Sequence, residues 1–415
     1  MQFILILLLL LLIYAWFLYP VLLTIVSRSN LLRPVSAERS ATEMNVNVLF
    51  SAYNEEKTIG CRLENLDECR KLYNKCRVTV WVGVDGSIDK TAEIANEFAS
   101  IHENIHVVEF LERRGKVPVL KDLLRKSREQ MNHGWTQTNA HKKEEAILVF
   151  TDANTMFRPD VLEKLLAHFS DPKVGGVCGR LEFMQTIISR SSSEGFYWRW
   201  ENKLKVVESN IDSCLGANDA IYAVRNCLFP DDIPDNAIVD DFVIGMKVRE
   251  QGFRMLYDPD AVAEEEFPEE RHEWRRRVRI GVGDFQALTL CWRCLLPQYG
   301  AFAWQFWSHK VLRWLTPHLV LLLVICSLFL VGNSGLSVGR YLPLVILTCI
   351  TGFILCSLIG RFLNSSAVHP VGRICRMCHY FLVMNMALFA GSIRFFAGDL
   401  KGYWERTPRG VENVK

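Results

Sequence analysis

An apolar run, Ile147-Leu148-Val149-Phe150, stops abruptly at Thr151-Asp152-Ala153-Asn154-Thr155. Short runs of branched and aromatic residues form buried strands. Asp152 is therefore expected at a strand's C-terminal end, the edge at which open α/β sheets hold ligands. A carboxylate there can hold Mg²⁺ or Mn²⁺, hard cations that take oxygen ligands from protein and phosphate together. Asn154 can add an amide oxygen from the same loop. The plainer reading is a helix cap, because Arg158-Pro159-Asp160 opens a helix close by and Asp is common in turns. The neighbouring strands decide between the two.

Val46–Phe50 reads as a strand and ends in Ser51-Ala52-Tyr53-Asn54-Glu55-Glu56. Val78–Val84 does the same and ends in Asp85-Gly86-Ser87-Ile88-Asp89, and Ile105–Phe110 leads into Arg113-Arg114-Gly115-Lys116. Helical spacing follows each: Lys57 to Cys69 with Ile59, Leu63 and Leu66 on one face, Thr91 to Phe98, and the segment through Leu124. Glu129 to Glu145 is polar and reads as a surface loop or insertion. Repeated β-α order predicts a parallel sheet with helices on both faces. The strand ends of such a sheet converge on one crevice, whose residues suit a nucleotide diphosphate. Asp85 can accept a pyrimidine N–H, Tyr53 can stack on the ring, and Arg113 and Lys116 can meet phosphate oxygens. Asp240-Asp241 forms a further acidic cluster, which alone reads as a helix N-cap.

The two ends differ in character. Phe3 to Val26 carries no charge and exceeds the roughly 20 residues a bilayer crossing needs. It lacks the basic start and the cleavage site of a signal peptide. Arg28, Arg33 and Arg39 follow, which places that end inside and the N-terminus outside. Leu312–Val331 and Leu342–Ile359 are further candidate spans. Leu295–Lys310, with Trp304, Phe306 and Trp307, reads as a helix lying in the interface. Tyr380–Ala397 is interrupted by Asn385 and Arg394 and reads either as a span or as an interface helix. These ends explain a hydrophobic content of 50% in 415 residues. Lys+Arg 48 against Asp+Glu 46 leaves +2, so no basic excess points to a nucleic-acid polymer. Thirteen cysteines are scattered; Cys291/Cys294 and Cys375/Cys378 have C-x-x-C spacing but no second pair, which reads as reduced thiols.

Taken together, the motifs closely resemble those of the inverting GT-A glycosyltransferases that include the cellulose, hyaluronan, chitin and poly-N-acetylglucosamine synthases. The matching residues are Ala52-Tyr53-Asn54-Glu55-Glu56, Asp85-Gly86-Ser87-x-Asp89-x-Thr91, Arg114-Gly115-Lys116 and Thr151-Asp152-Ala153-Asn154. Gly175-Gly176-Val177-x-Gly179-Arg180 and Gly216-Ala217-Asn218-Asp219-Ala220-x-Tyr222-Ala223 follow in the family's order. The resemblance covers roughly Asn45 to Leu290. It implies an α/β, Rossmann-like GT-A domain that binds a UDP-sugar through Tyr53, Glu55, Asp85, Lys116 and Asp152. Asp152 would carry the metal, with Asn154 standing where many members have a second Asp.

In Val239-Asp240-Asp241 the family's catalytic base falls on Asp241. Arg277 and Arg279 match cations expected at the diphosphate, but Ile280 stands where processive members keep a Trp. Asn218 and Asp219 are acceptor-side candidates. Trp404-Glu405-Arg406-Thr407-Pro408-Arg409 resembles the gating loop, which would make the C-terminus cytosolic and favour three spans over four.

The expected organisation is a membrane helix over 1–27, a cytosolic GT-A domain over 45–290, and an interface helix, spans and gating-like loop over 295–415. The expected activity is transfer of a hexose or N-acetylhexosamine to a growing β-linked polysaccharide at the plasma membrane, with room for an accessory subunit. The alternatives are a single addition to a lipid-linked acceptor and a non-catalytic scaffold subunit.

Overall fold

The computed structural model describes residues 1–29, 44–73, 75–133, 146–184, 193–266, 270–333, 341–363 and 369–400. The gating-like segment Trp404–Arg409, most of the polar stretch Glu129–Glu145, and Arg33 and Arg39 lie outside them. Helix α1, Gln2–Arg28, carries a π-helical turn over Tyr14–Leu18. Helices α2 (Ile59–Leu72), α3 (Thr91–Ile101), α4 (Lys116–His133) and α5 (Val161–Ala167) then alternate with strands. They are followed by α6 (Ser193–Ile211), α7 (Asp240–Glu250) and α8 (Glu270–Leu290). Three long helices follow among the described residues, α9 (Thr316–Asn333), α10 (Tyr341–Phe362) and α11 (Pro370–Phe396).

Two compact units result. One comprises the described residues of Met1–Asn30, Gln185–Leu204 and Glu270–Leu400; the other comprises those of Leu31–Met184 and Lys205–Glu269. Within the first unit α8 packs on α11. Gly281 and Gly391 allow that approach: a Cβ at Gly391 would lie 2.7 Å from the Gly281 carbonyl carbon.

In the first unit, α1, α9, α10 and α11 are each long and apolar enough to cross a membrane. Leu5 and Leu8 of α1 bury against Leu323, Cys326 and Leu330 of α9 and Ile346 of α10. Tyr380–Ala397 proves to be the C-terminal part of helix α11 together with its capping residue Ala397. The single interface helix expected over Leu295–Lys310 is not formed. Pro297 opens a 3₁₀ turn that ends at Gly300 (φ +55°), and a helix with a π-turn follows, burying Phe302, Gln305, Phe306 and His309. Glu201 is buried here, with its carboxylate 3.0 Å from His309 Nε2 and 2.7 Å from Lys310 Nζ. Burial works to raise the Glu201 carboxyl, but the charges of His309, Lys310 and Arg313 outweigh it and hold the group well below its usual range.

The second unit is built on one sheet of eight strands in the order β3-β2-β1-β4-β7-β6-β8-β5. The strands are β1 (Asn45–Ala52), β2 (Arg77–Asp85), β3 (Ile105–Phe110), β4 (Ile147–Thr151), β5 (Met156–Phe157), β6 (Val174–Met184), β7 (Ile221–Arg225) and β8 (Arg254–Glu266). β1 pairs in parallel with β2 and β4, and β2 with β3. Val46, Val48 and Phe50 are buried, as are Asn47 and Leu49 between them. Burial on both faces is what a parallel sheet covered by helices requires.

The feature that matters most for the site is β7, which runs antiparallel between β4 and β6 and pairs Ile221 with Thr151. A strand of opposite sense presents its beginning where its neighbour presents its end. The residues just before β7 therefore meet the residues just after β4.

Helix α7 closes over the same region. Gly245 lies where a Cβ would fall 2.8 Å from the Gly216 carbonyl carbon and 2.9 Å from the Ala217 nitrogen. Gly216 itself has φ +74°, a conformation that favours glycine. A side chain at 245 must push the helix from a backbone that cannot yield. Gly245→Val is expected to cost about 1–3 kcal/mol, the usual range for overpacking. It should lower the melting temperature and slow turnover together; an unchanged melting curve would contradict this packing.

Candidate active site

Two loops at the ends of β1 and β2 brace each other. The Asn54 N–H donates to Ser87 Oγ (3.0 Å) and the Ile88 N–H to Asn54 Oδ1 (3.0 Å). The Glu55 N–H donates to Thr91 Oγ1 (2.7 Å) and the Glu56 N–H to Asp89 Oδ2 (3.2 Å). Asn54 sits at φ +55°, a conformation that Asn tolerates better than most residues. Asn54, Ser87, Asp89 and Thr91 thus fix the shape of the crevice edge. The Glu55 carboxylate accepts from Thr58 Oγ1 (2.7 Å) at the start of α2.

Asp85 ends β2 almost wholly buried, and its two oxygens accept the N–H groups of Arg114 (2.7 Å) and Gly115 (2.8 Å). This fixes the loop that opens α4 and leaves acceptor capacity on the carboxylate. Arg113, in the same loop, lays its guanidinium over the Tyr53 ring, 3.9 Å from the centroid. The two groups expected at base and phosphate are therefore in contact with each other.

Lys116, the first residue of α4, reaches the far side of the crevice. Its Nζ donates to Asp152 Oδ1 (2.9 Å) and to Asp219 Oδ1 (2.7 Å). Asp240 and Asp241 open α7, where the helix dipole favours negative charge. One oxygen each of Asp219, Asp240 and Asp241 lie within 4.8 Å of one another. Asp240 is buried, and its Oδ2 has no hydrogen-bond partner among the described residues; the Tyr222 hydroxyl, also buried, is in the same position. Four carboxylates thus share one ammonium. Such a cage, with an orphaned acidic oxygen, fits a hard divalent cation.

Burial, reinforced by Asp219 and Glu265 and opposed by Lys116, pushes Asp152 up to about 6. Burial with Asp219 and Asp152, again opposed by Lys116, pushes Asp240 up to about 7. Asp241 is raised for the same kind of reason, by burial and then by Asp219 and Asp240. Burial opposes the charge on Lys116, but Asp152, Asp219 and Asp240 more than offset it and hold the ammonium well above its usual value.

Beneath the cage lies a residue absent from the expected set. Arg62 of α2 is fully buried, and its Nη2 donates to Thr151 Oγ1 (2.8 Å). Its Nη1 donates to Asn65 Oδ1 (2.8 Å), and Asn65 bonds both the N–H and the carbonyl of Phe157. Thr151 in turn donates to the Ala220 carbonyl (2.8 Å). Arg62 thereby holds both ends of the loop carrying Asp152 and Asn154, and ties it to the loop carrying Asp219. The only sequence signal was a cation one position from the apolar face of Ile59, Leu63 and Leu66.

The other expected residues divide. Asn218 donates to the Gly179 carbonyl (2.8 Å) and accepts from the Ile221 N–H (3.3 Å), so it shapes its loop. Asn154 is half-buried in the Asp152 loop. Arg277 and Arg279 lie on α8 in the unit of apolar helices, where Arg277 pairs with Glu273 and donates to the Tyr380 hydroxyl (3.3 Å).

The raised carboxyls have a consequence for stability. Asp152 and Asp240 hold protons in the folded protein that the unfolded chain, titrating near 4, has released. The folded state binds more protons between about pH 4 and 7, so stability falls as pH rises through that window. In chelator the melting temperature is expected to fall from pH 5 to pH 8, and Asp240→Asn should flatten the slope. Added Mn²⁺ should stabilise more at pH 8 than at pH 5; equal gains would contradict the assignment.

The family model described as "Glycosyltransferase like family 2" matches residues 44–280. A probable glycosyltransferase, YdaM of Bacillus subtilis, is 24% identical over 255 residues, covering 58% of this chain and 55% of that protein. Poly-beta-1,6-N-acetyl-D-glucosamine synthase of Staphylococcus aureus is 26% identical over 259 residues, covering 59% and 55%. The chain thus spans about half the length of the curated relatives it matches. Among solved structures, the mannosyltransferase PcManGT of Pyrobaculum calidifontis, in complex with GDP-Man and Mn²⁺, superposes with a TM-score of 0.63 at 21% identity. That likeness covers 95% of this chain and 98% of the other, and it shows a shared fold. With the parallel sheet, the inserted antiparallel strand and the carboxylates at its edge, the family match identifies this chain as a glycosyltransferase of family 2 with the GT-A fold.

Proposed function

We propose that this glycosyltransferase moves a hexose or N-acetylhexosamine from a UDP-sugar to the hydroxyl of a growing β-linked polysaccharide. The observation that carries the reading is the carboxylate cage, with Asp241 at the start of α7, where burial and then the charges of Asp219 and Asp240 raise its carboxyl. A raised carboxylate is a better proton acceptor near neutral pH than an ordinary one. In this reading Asp241 takes the proton of the acceptor hydroxyl as its oxygen attacks the anomeric carbon. The bond to the diphosphate breaks on the opposite face, which inverts the centre.

A divalent cation, Mg²⁺ or Mn²⁺, held by Asp152 and the Asn154 amide would neutralise charge on the departing diphosphate. Lys116 and Arg113 add positive charge to the same crevice. Tyr53 carries the base and Asp85 its N–H, with Glu55 supporting the loop between them. The name of the staphylococcal relative supports a polymer of N-acetylhexosamine. Four helices among the described residues able to cross a bilayer support a multi-pass membrane protein; the plasma membrane as its site and a cytosolic sheet unit belong to the same proposal, the latter argued from the arginines after the first span.

A second reading keeps the chemistry and changes the acceptor to a lipid-linked sugar. Ile280 favours it, because a branched aliphatic side chain offers no flat face for stacking on an acceptor sugar.

Product size separates the two. The detergent-solubilised protein is expected to release UDP from one donor of a UDP-sugar panel and to build high-mass product on a gel. A product one sugar longer than an added lipid acceptor would establish single addition. Asp241→Asn should bind the donor normally and turn over at least about a hundred-fold more slowly, the loss expected for a general base. A variant with near-normal turnover would remove Asp241 from the mechanism.

A further inference from the structure

The Asp152 loop supplies one carboxylate and one amide, a weak set of ligands for a hard cation beside a dianionic diphosphate. We infer that the second charged ligand comes from Asp219, across the β4–β7 pair, and that Lys116 holds this site closed until the cation and donor arrive. The inference rests on the metal-dependent reading above and extends it to Asp219, which the sequence places on the acceptor side.

Three observations carry it. A single positive centre, Lys116 Nζ, already lies within hydrogen-bond distance of both Asp152 (2.9 Å) and Asp219 (2.7 Å). Two carboxylates that share one ammonium are positioned to share one metal ion after small side-chain rotations. The pairing of Thr151 with Ile221 fixes both loops to adjacent strands, so this proximity belongs to the sheet. Independently, Asp240 Oδ2 is buried with no hydrogen-bond partner among the described residues, and an Asp240 oxygen lies within 4.8 Å of one from Asp219. A buried acidic oxygen left without a partner is stabilised when a cation enters beside it.

The arrangement implies an exchange. In the donor-free protein Lys116 neutralises the cage. When a divalent ion takes its place between Asp152 and Asp219, the ammonium is released toward the phosphates that enter with the sugar nucleotide. Lys116 therefore competes with the ion in the absence of donor and assists the donor in its presence. No bond is made or broken in this step; one cation replaces another.

Mn²⁺ binding to the full-length, detergent-solubilised protein without donor, read by water-proton relaxation and calorimetry, tests this. Asp219→Asn is expected to weaken Mn²⁺ binding by about tenfold or more, as Asp152→Asn does, because affinity for hard cations follows the ligand charge count. Asn154→Ala should weaken it less. Lys116→Met should tighten it, while weakening UDP binding once Mn²⁺ is saturating. Melting curves of each variant establish that it is folded, and Lys116→Met keeps the test decisive if Asp219→Asn is not.

Wild-type affinity in Asp219→Asn, a greater loss in Asn154→Ala, or unchanged Mn²⁺ binding in Lys116→Met would each overturn the inference. A wild-type protein that transfers sugar yet binds no Mn²⁺ or Mg²⁺ would instead overturn the metal-dependent reading beneath it. The two failures are thus distinguishable.

Discussion

The ammonium of Lys116 between Asp152 and Asp219 is the contact on which the crevice depends. Two unit charges 4 Å apart interact by about 4 kcal/mol at the effective dielectric of a protein surface, and by more in a drier site. Four carboxylates gathered at one strand edge would repel on that scale without a cation among them. The fold meets this with a lysine at the first position of α4, and the loop before it is tethered through backbone N–H groups to the Asp85 carboxylate. Asp85 and Lys116 are therefore coupled: one sets the loop that positions the other. A residue expected to read the nucleotide base also supports the residue expected to meet its phosphates.

A second buried cation works from below. Arg62 donates to Thr151, and through Asn65 to Phe157, so the segment bearing Asp152 is held at both ends. Burial lowers its pKa to about 9, yet it remains charged at neutral pH. Its guanidinium also lies over the Phe157 ring, 4.2 Å from the centroid, where a desolvated cation–π contact is strong. Only a planar group with several fixed donors can serve these contacts at once, which is why a lysine would not replace it. The acids of the cage thus sit above one cation and around another.

Much of this was legible in the sequence because it is local. A short apolar run that ends in Asp or Asn is a statement about the next few residues, and β1, β2, β3 and β4 formed close to where the runs placed them. The contact between Asp152 and Asp219 was not legible, because it depends on β7 entering the sheet beside β4 in the opposite sense. Alternation of strands and helices signals parallel pairing and says nothing of a reversed strand from further along the chain. Arg62 was hidden for a different reason: a cation on a helix that also carries Arg70 and Lys71 looks solvated until the partners that bury it are known. The helix expected over Leu295–Lys310 failed at Pro297 and Gly300, where local backbone preference overrode an aromatic-rich composition.

The motif residues also separate by what satisfies them. Asn54, Ser87, Asp89 and Thr91 are bound by backbone or side-chain groups of the facing loop, and Asp85 by two backbone N–H groups. Groups satisfied in this way are rigid, and they fix a shape. Among the cage acids, Asp152 and Asp219 lean on a flexible lysine, and Asp240 keeps one oxygen without a hydrogen-bond partner among the described residues. A carboxylate satisfied by the backbone has no reason to change partners, whereas one satisfied by a side chain on a four-carbon stem can exchange it. Motif residues adjacent in sequence can therefore do opposite work, one building the crevice and the next reacting within it. The difference lies in the partner of each carboxylate, which the spacing of the motif does not encode.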